Sequence, residues 1–114
     1  MKIPAQGKLL RIFIGEMDRW QGKPLYEAIV FLAKKEGMAG ATVLKGLMGF
    51  GCKSRMHTAK LLRLSEDLPL VIEIVDSEEK IAAFLPRIDA MVSEGLVTLE
   101  KADVIMYRAG GKNS

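Results

Sequence analysis

The stretch Leu68-Pro69-Leu70-Val71-Ile72-Glu73-Ile74-Val75-Asp76-Ser77 decides the architecture of this chain. Leu70–Val75 is rich in β-branched residues and reads as a strand. Pro69 is tolerated because the first residue of a strand need not donate its amide. Asp76 and Glu79 make a D-x-x-E capping box, so a helix follows at once. Upstream, Ala41–Met48 reads as another strand, entered through the turn-like Gly40. Everything from Gly49 to Asp67 is then a connection between two strands. It exceeds the ~12–15 residues beyond which a connection without structure of its own is usually functional or disordered. A functional loop on a small α/β scaffold is expected.

Working outward, Lys8–Ile14 is a strand with Leu10, Ile12 and Ile14 on one face and Leu9, Arg11 and Phe13 on the other. The linker Glu16–Lys23 is polar apart from Met17 and Trp20, and Trp20 is expected to anchor it on the body. Pro24 suits the first helical position. Leu25, Ala28, Ile29, Leu32 and Ala33 keep helical spacing from there, and Gly37 is a natural stop. In the second helix, Ile81, Phe84, Leu85, Ile88, Met91 and Val92 form an apolar stripe. Pro86 removes the bond to the Ala82 carbonyl and is expected to kink it. Gly95 closes the segment. Leu96–Leu99 and Val104–Tyr107 form a fourth strand, broken by a bulge or turn at Glu100–Asp103.

The order β-α-β-loop-β-α-β implies an α+β, ferredoxin-like βαββαβ fold: a four-stranded antiparallel sheet with two helices on one face. Residues 1–114 are expected to form one domain, with 109–114 as a mobile tail that has no apolar anchor. The uncovered face of such a sheet is polar in a monomer. Here both faces of the first two strands carry Leu, Ile, Val or Phe, so a homo-oligomer is expected.

Apolar residues at 49% and charged residues at 27% describe an ordinary globular chain rather than a disordered or fibrous one. One cysteine excludes an internal disulfide, and a reducing cytoplasm is the simplest location. The start Met1–Lys8 lacks the apolar core of a signal peptide. No apolar run approaches the ~20 residues of a membrane span, so no direct membrane insertion is expected. Nearly all of the net charge of +3 is accounted for in the central loop, where Lys53, Arg55, Lys60 and Arg63 outnumber Glu66 and Asp67. That pattern fits a solvated surface loop and a phosphate-binding anion site alike. RNA recognition on this fold needs aromatics on the central strands, and Leu70–Val75 has none, so nucleic acid is not an expected partner.

Within the loop, Gly46, Gly49 and Gly51 precede Lys53, Ser54 and Arg55. Glycines let consecutive amides converge on an anion. The run is a near miss to a P-loop: Gly46-x-x-x-x-Gly51 is right, but Lys53-Ser54 comes one residue late and no helix follows. His57 stands without a second His or clustered carboxylates, and Cys52 with His57 lacks an acidic orienting group. Nothing in the sequence demands catalysis, and no metal is expected.

Gly40–Gly51, the long loop and Leu68–Ser77 together resemble the PII signalling proteins. Residues 8–108 more closely resemble an uncharacterised PII-like branch recognised by G-F-G-x-x-S-x-x-H-T and L-S-x-D-L-P. Here those motifs are Gly49-Phe50-Gly51-Cys52-Lys53-Ser54-Arg55-Met56-His57-Thr58 and Leu64-Ser65-Glu66-Asp67-Leu68-Pro69. The resemblance implies a non-enzymatic, cytoplasmic homotrimer whose sheets pack inward and whose inter-subunit clefts bind an adenine nucleotide. It also implies that the long loop, the T-loop of that family, engages a target protein through Ser54, Arg55, His57 and Thr58. Genes of that branch often stand beside fluoride-channel genes, which points to a membrane ion channel or transporter as the target. By position, the resemblance puts Gly51 and Lys53 at the base of the loop where the phosphates are met, with Gly49, Phe50 and Cys52 beside them in the nucleotide site. Thr42 and Val75 fall beside the adenine, Gly95 in a phosphate loop, and Arg108 at the final arginine of the family's last strand.

The chain departs from PII in four places. It has one residue more between Thr42 and Gly49, and Lys53 replaces a glutamine. The glycine-rich phosphate loop shrinks to Ser93-Glu94-Gly95, and an arginine two residues before Arg108 falls on Met106. Fewer phosphate contacts put a nucleotide with fewer phosphates, ADP or AMP, on at least an equal footing with ATP, and ADP is the first expectation. The rival reading is a metal-responsive trimer of the related copper-tolerance type, with His57 and Cys52 as ligands.

Overall fold

The structure, a computed structural model, describes residues 6–50, 67–109 and the backbone of 57–58. The described residues form β1 (Gln6–Gly15), β2 (Arg19–Trp20), β3 (Lys23–Pro24), α1 (Leu25–Lys35), β4 (Thr42–Lys45) and β5 (Met48–Gly49). They continue with β6 (His57–Thr58), β7 (Pro69–Asp76), α2 (Glu78–Met91) and β8 (Leu96–Asp103). Four strands make one antiparallel sheet in the order β4-β7-β1-β8. With both helices against one face, this is the expected ferredoxin-like arrangement.

Strict alternation explains the layering. Leu10, Ile12 and Ile14 of β1 and Leu70, Ile72 and Ile74 of β7 are all buried beneath the helices. Leu25, Ala28, Ile29 and Ala33 of α1, with Ile81, Phe84, Ile88 and Met91 of α2, complete the core. Each fully buried aliphatic or aromatic side chain stabilises the fold by about 1.5–3 kcal/mol. Trp20 packs against this core from the β2–β3 hairpin. Gln21 and Gly22, both at positive φ, make the tight turn between those two strands. The polar linker expected over Glu16–Lys23 thus contains a hairpin, whose Gln-Gly turn is a weak signal in sequence beside Asn-Gly.

Four boundaries differ from expectation. α1 begins at Leu25 with Pro24 as its cap residue. Ser77, not Asp76, caps α2, its hydroxyl accepting from the Lys80 amide at 3.2 Å. Asp76 is fully buried and has another task, holding the amides of Ala39 at 2.8 Å and Ser77 at 2.7 Å. α2 runs unbroken through Pro86; Ala82 and Pro86 are both exposed, where water can take the freed carbonyl. The last strand continues through Glu100–Asp103 and stops there, so Val104–Tyr107 lies outside the ladder. Finally, the second strand ends at Lys45, and Met48–Gly49 pairs elsewhere.

The face away from the helices is ordered in rows. Leu44, Val71, Phe13 and Leu96 lie opposite one another across all four strands. The next row is Thr42, Glu73, Arg11 and Thr98. Arg11 donates from Nε to Glu73 at 2.9 Å and from Nη1 to Glu100. These two contacts, Glu73 first, raise the Arg11 guanidinium above its ordinary value. It therefore carries its charge throughout the neutral range.

Candidate functional site

The loop is built on Pro69. The Gly46 amide donates to the Pro69 carbonyl at 2.7 Å. A Cβ on Gly46 would stand 2.8 Å from Pro69 Cγ, and one on Gly49 would stand 3.1 Å from it. Only residues without side chains let the strand turn so closely over this ring. Beyond it β5 and β6 form a ribbon that pairs Met48 with Thr58 and Gly49 with His57. The far foot is fixed as well: Asp67 Oδ1 accepts from the Met17 amide at 2.8 Å, and the Leu68 carbonyl from Glu16 at 2.8 Å. Lys45 Nζ reaches Glu16 at 3.0 Å. Both feet are thus tied to the end of β1.

Apolar surface surrounds this base. Leu47, Met48 and Phe50 are exposed by 79%, 57% and 66%, more than a chain without a partner ordinarily shows in one place. An open groove of about 340 Å³ lies between α2 and β8, lined by Leu85, Ile88, Asp89, Val92, Ser93, Gly95 and Val97.

The expected site residues fall into separate groups. Thr42 is exposed on β4 opposite Glu73, and Val75 is half-buried opposite Leu9. Gly49 and Phe50 stand at the ribbon on the β4 edge. Gly95 opens β8 on the opposite edge, where a Cβ would come within 2.6 Å of the Phe13 carbonyl. Gly49 and Gly95 therefore share one end of the sheet but are separated by β7 and β1. Arg108 is exposed beyond β8, and the hydroxyl of its neighbour Tyr107 donates to the Ala39 carbonyl at 3.0 Å. That bond carries the segment to the entry of β4, near Thr42. His57 and Thr58 are placed by their backbone in β6. Gly51, Cys52, Lys53, Ser54 and Arg55, and the tail 110–114, lie outside the described residues.

At the glycine base the Gly46 amide is engaged by the Pro69 carbonyl. On the open face two carboxylates engage the Arg11 guanidinium. Asp67, Asp76 and Tyr107 were not expected as anchors of the site. Each acts on a backbone group distant in sequence, which leaves no local signal. Among the described residues no group of three or more His, Cys, Asp and Glu side chains gathers as a metal site. No helix among them is long and apolar enough to cross a membrane.

The family model DUF190, described as Uncharacterized ACR, COG1993, matches residues 7–104. The chain belongs to the DUF190 family. It is 44% identical over 98 residues to a UPF0166 protein of Aquifex aeolicus, covering 86% of this chain and 92% of that protein. It is 36% identical over 100 residues to UPF0166 protein MJ1524 of Methanocaldococcus jannaschii, covering 87% and 92%. Among solved structures, the DUF190 chain shares its fold with CPII, a nitrogen regulatory PII-like protein from Thiomonas intermedia K12 bound to ADP, AMP and bicarbonate. That likeness has a TM-score of 0.61 and 22% identity, covering 87% of this chain and 88% of that one. The apo form of CPII superposes with a TM-score of 0.52 at 20% identity, covering 87% and 91%. The fold of this DUF190 chain is therefore PII-like.

Proposed function

We propose that this chain is a PII-like regulatory protein, a homotrimer that binds an adenine nucleotide between subunits and signals through the 49–67 loop. The observation that carries the reading is the separation of Gly49 and Gly95 on opposite edges at one end of the sheet. A head-to-tail contact between the β4 edge of one copy and the β8 edge of the next would join them, and such contacts close into rings. The apolar row Leu44, Val71, Phe13 and Leu96 supplies a face for assembly. CPII, which shares the fold, is bound to ADP and AMP.

In this reading the amides around Gly49 and Gly51, with Lys53, meet the phosphates, together with Gly95 and Arg108. Thr42 and Val75 flank the adenine, and Phe50 and Cys52 complete the loop base. ADP is the expected nucleotide. Ser54, Arg55, His57 and Thr58 face a target protein in the cytoplasm, a membrane ion channel or transporter. The protein is not an enzyme and holds no metal. Isothermal titration with AMP, ADP and ATP tests the reading, and ADP is expected to bind most tightly. Lys53→Ala combined with Arg108→Ala is expected to weaken ADP about 100-fold, two charge-assisted contacts being lost. No heat with any of the three at millimolar concentration would sink the proposal.

A further inference from the structure

We infer that Met48 and Phe50, at the loop base of one copy, seat in the groove between α2 and β8 of the next copy; this rests on the head-to-tail assembly proposed above. The groove exists because α2 leaves part of β8 uncovered. Val97 and Leu99 stand opposite Ile12 and Leu10 in register, so all four face the helices. Ile12 and Leu10 have no exposed surface, whereas Val97 and Leu99 are exposed by 39% and 45%. Leu85, Ile88 and Val92 of α2 form the wall facing Val97. Gly95 keeps that end open, since a Cβ there would stand 3.1 Å from Val92 Cγ1. Asp89 and Ser93 add polar groups beside an apolar centre, the anatomy of a contact surface.

The loop base is its complement. Met48 and Phe50 are two residues apart on an extended stretch, which puts them on one side of it, and both are exposed. An enclosed phenylalanine buries about 150–250 Å². Methionine adapts to an irregular gap beside it. Within one subunit the two features cannot meet, because β7 and β1 lie between their edges. A second copy can join them, since both lie at the Pro69 end of the sheet. The groove also adjoins Leu96, the last member of the apolar row, so it is continuous with the face proposed for assembly. Such a contact matches two different patches. It is therefore heterologous, and it closes into a ring instead of stopping at a pair.

Phe50 is exposed in the subunit, so Phe50→Ala spares the fold. Sedimentation across a dilution series is expected to show its trimer dissociating about 30-fold more readily than the wild type, the loss of an aromatic anchor. A second measurement fixes the geometry. Cys52 is the chain's one cysteine, so Cys52→Ser gives a background free of thiols. In that background, Met48→Cys and Val97→Cys on the same chain are expected to be linked into covalent trimers by a short bis-maleimide. Either substitution alone is expected to leave monomers on a denaturing gel. Linked dimers from a single substitution would show a two-fold contact and overturn the inference. A trimer that the paired cysteines fail to link, or that Phe50→Ala leaves equally tight, removes the inference alone. A wild type that sediments as a monomer removes the assembly reading and this inference with it.

Discussion

Ile72 and Val71 are neighbours in the chain and belong to two different worlds. Ile72 points under the helices with no exposed surface, between Ile12 and Val43 in register. Val71 points the other way, into the row with Leu44, Phe13 and Leu96, where Leu44 and Leu96 are exposed by 48% and 57%. Both faces are apolar, but only one is closed by the chain's own helices. One face therefore carries the stability of the subunit, and the other is surface that the proposed trimer would cover. The difference also separates their polar content. The only buried polar or charged side chain among the described residues is Asp76, whereas the open face carries Arg11 between Glu73 and Glu100.

The largest effect should come from breaking the closed face. Ile72→Ala is expected to cost about 2–5 kcal/mol, seen as a lowered denaturation midpoint with an unchanged slope. Next, Val71→Asp would put a charge in the apolar row of the open face. Sedimentation at micromolar concentration should then give a folded monomer in place of a trimer. A variant that still sediments as a trimer, or a wild type that is already monomeric, would dissolve the contrast between the faces. The smallest effect belongs to neither face. Arg87 pairs with Glu36 at 2.8 Å on the outer surface, and Arg87→Ala should shift stability by less than about 1 kcal/mol.

The same contrast explains what could be read from the sequence. β1 and β7 alternate cleanly between the two faces, and α1 and α2 keep helical spacing, so their existence and order were legible. From these the antiparallel sheet follows. The fourth strand was misjudged because apolar character was equated with pairing. Glu100–Asp103 is polar yet stays in the ladder, as suits a strand on the sheet's edge, while the more apolar Val104–Tyr107 leaves it. The run Ala41–Met48 looked like one strand because nothing local reveals that Gly46 must clear the Pro69 ring. Asp76 looked like a helix cap because its true partner, Ala39, lies far upstream. For the candidate site, the motif located the glycine base. The tether of its far foot, Asp67 to Met17, is tertiary, as is the Tyr107–Ala39 bond at the opposite end of the sheet, and neither leaves a mark at sequence spacing.

Pro69 has one further consequence. The entry to the loop turns over this ring, and the exit is tied to Met17 and Glu16 at the same end of the sheet. With both feet fixed, the two ends of the excursion stay together whatever its length. Lengthening such a closed excursion adds only about 0.6 kcal/mol per doubling of length. A chain that keeps Gly46, Gly49, Asp67 and Pro69 could therefore change the length of the insert without disturbing the sheet beneath it.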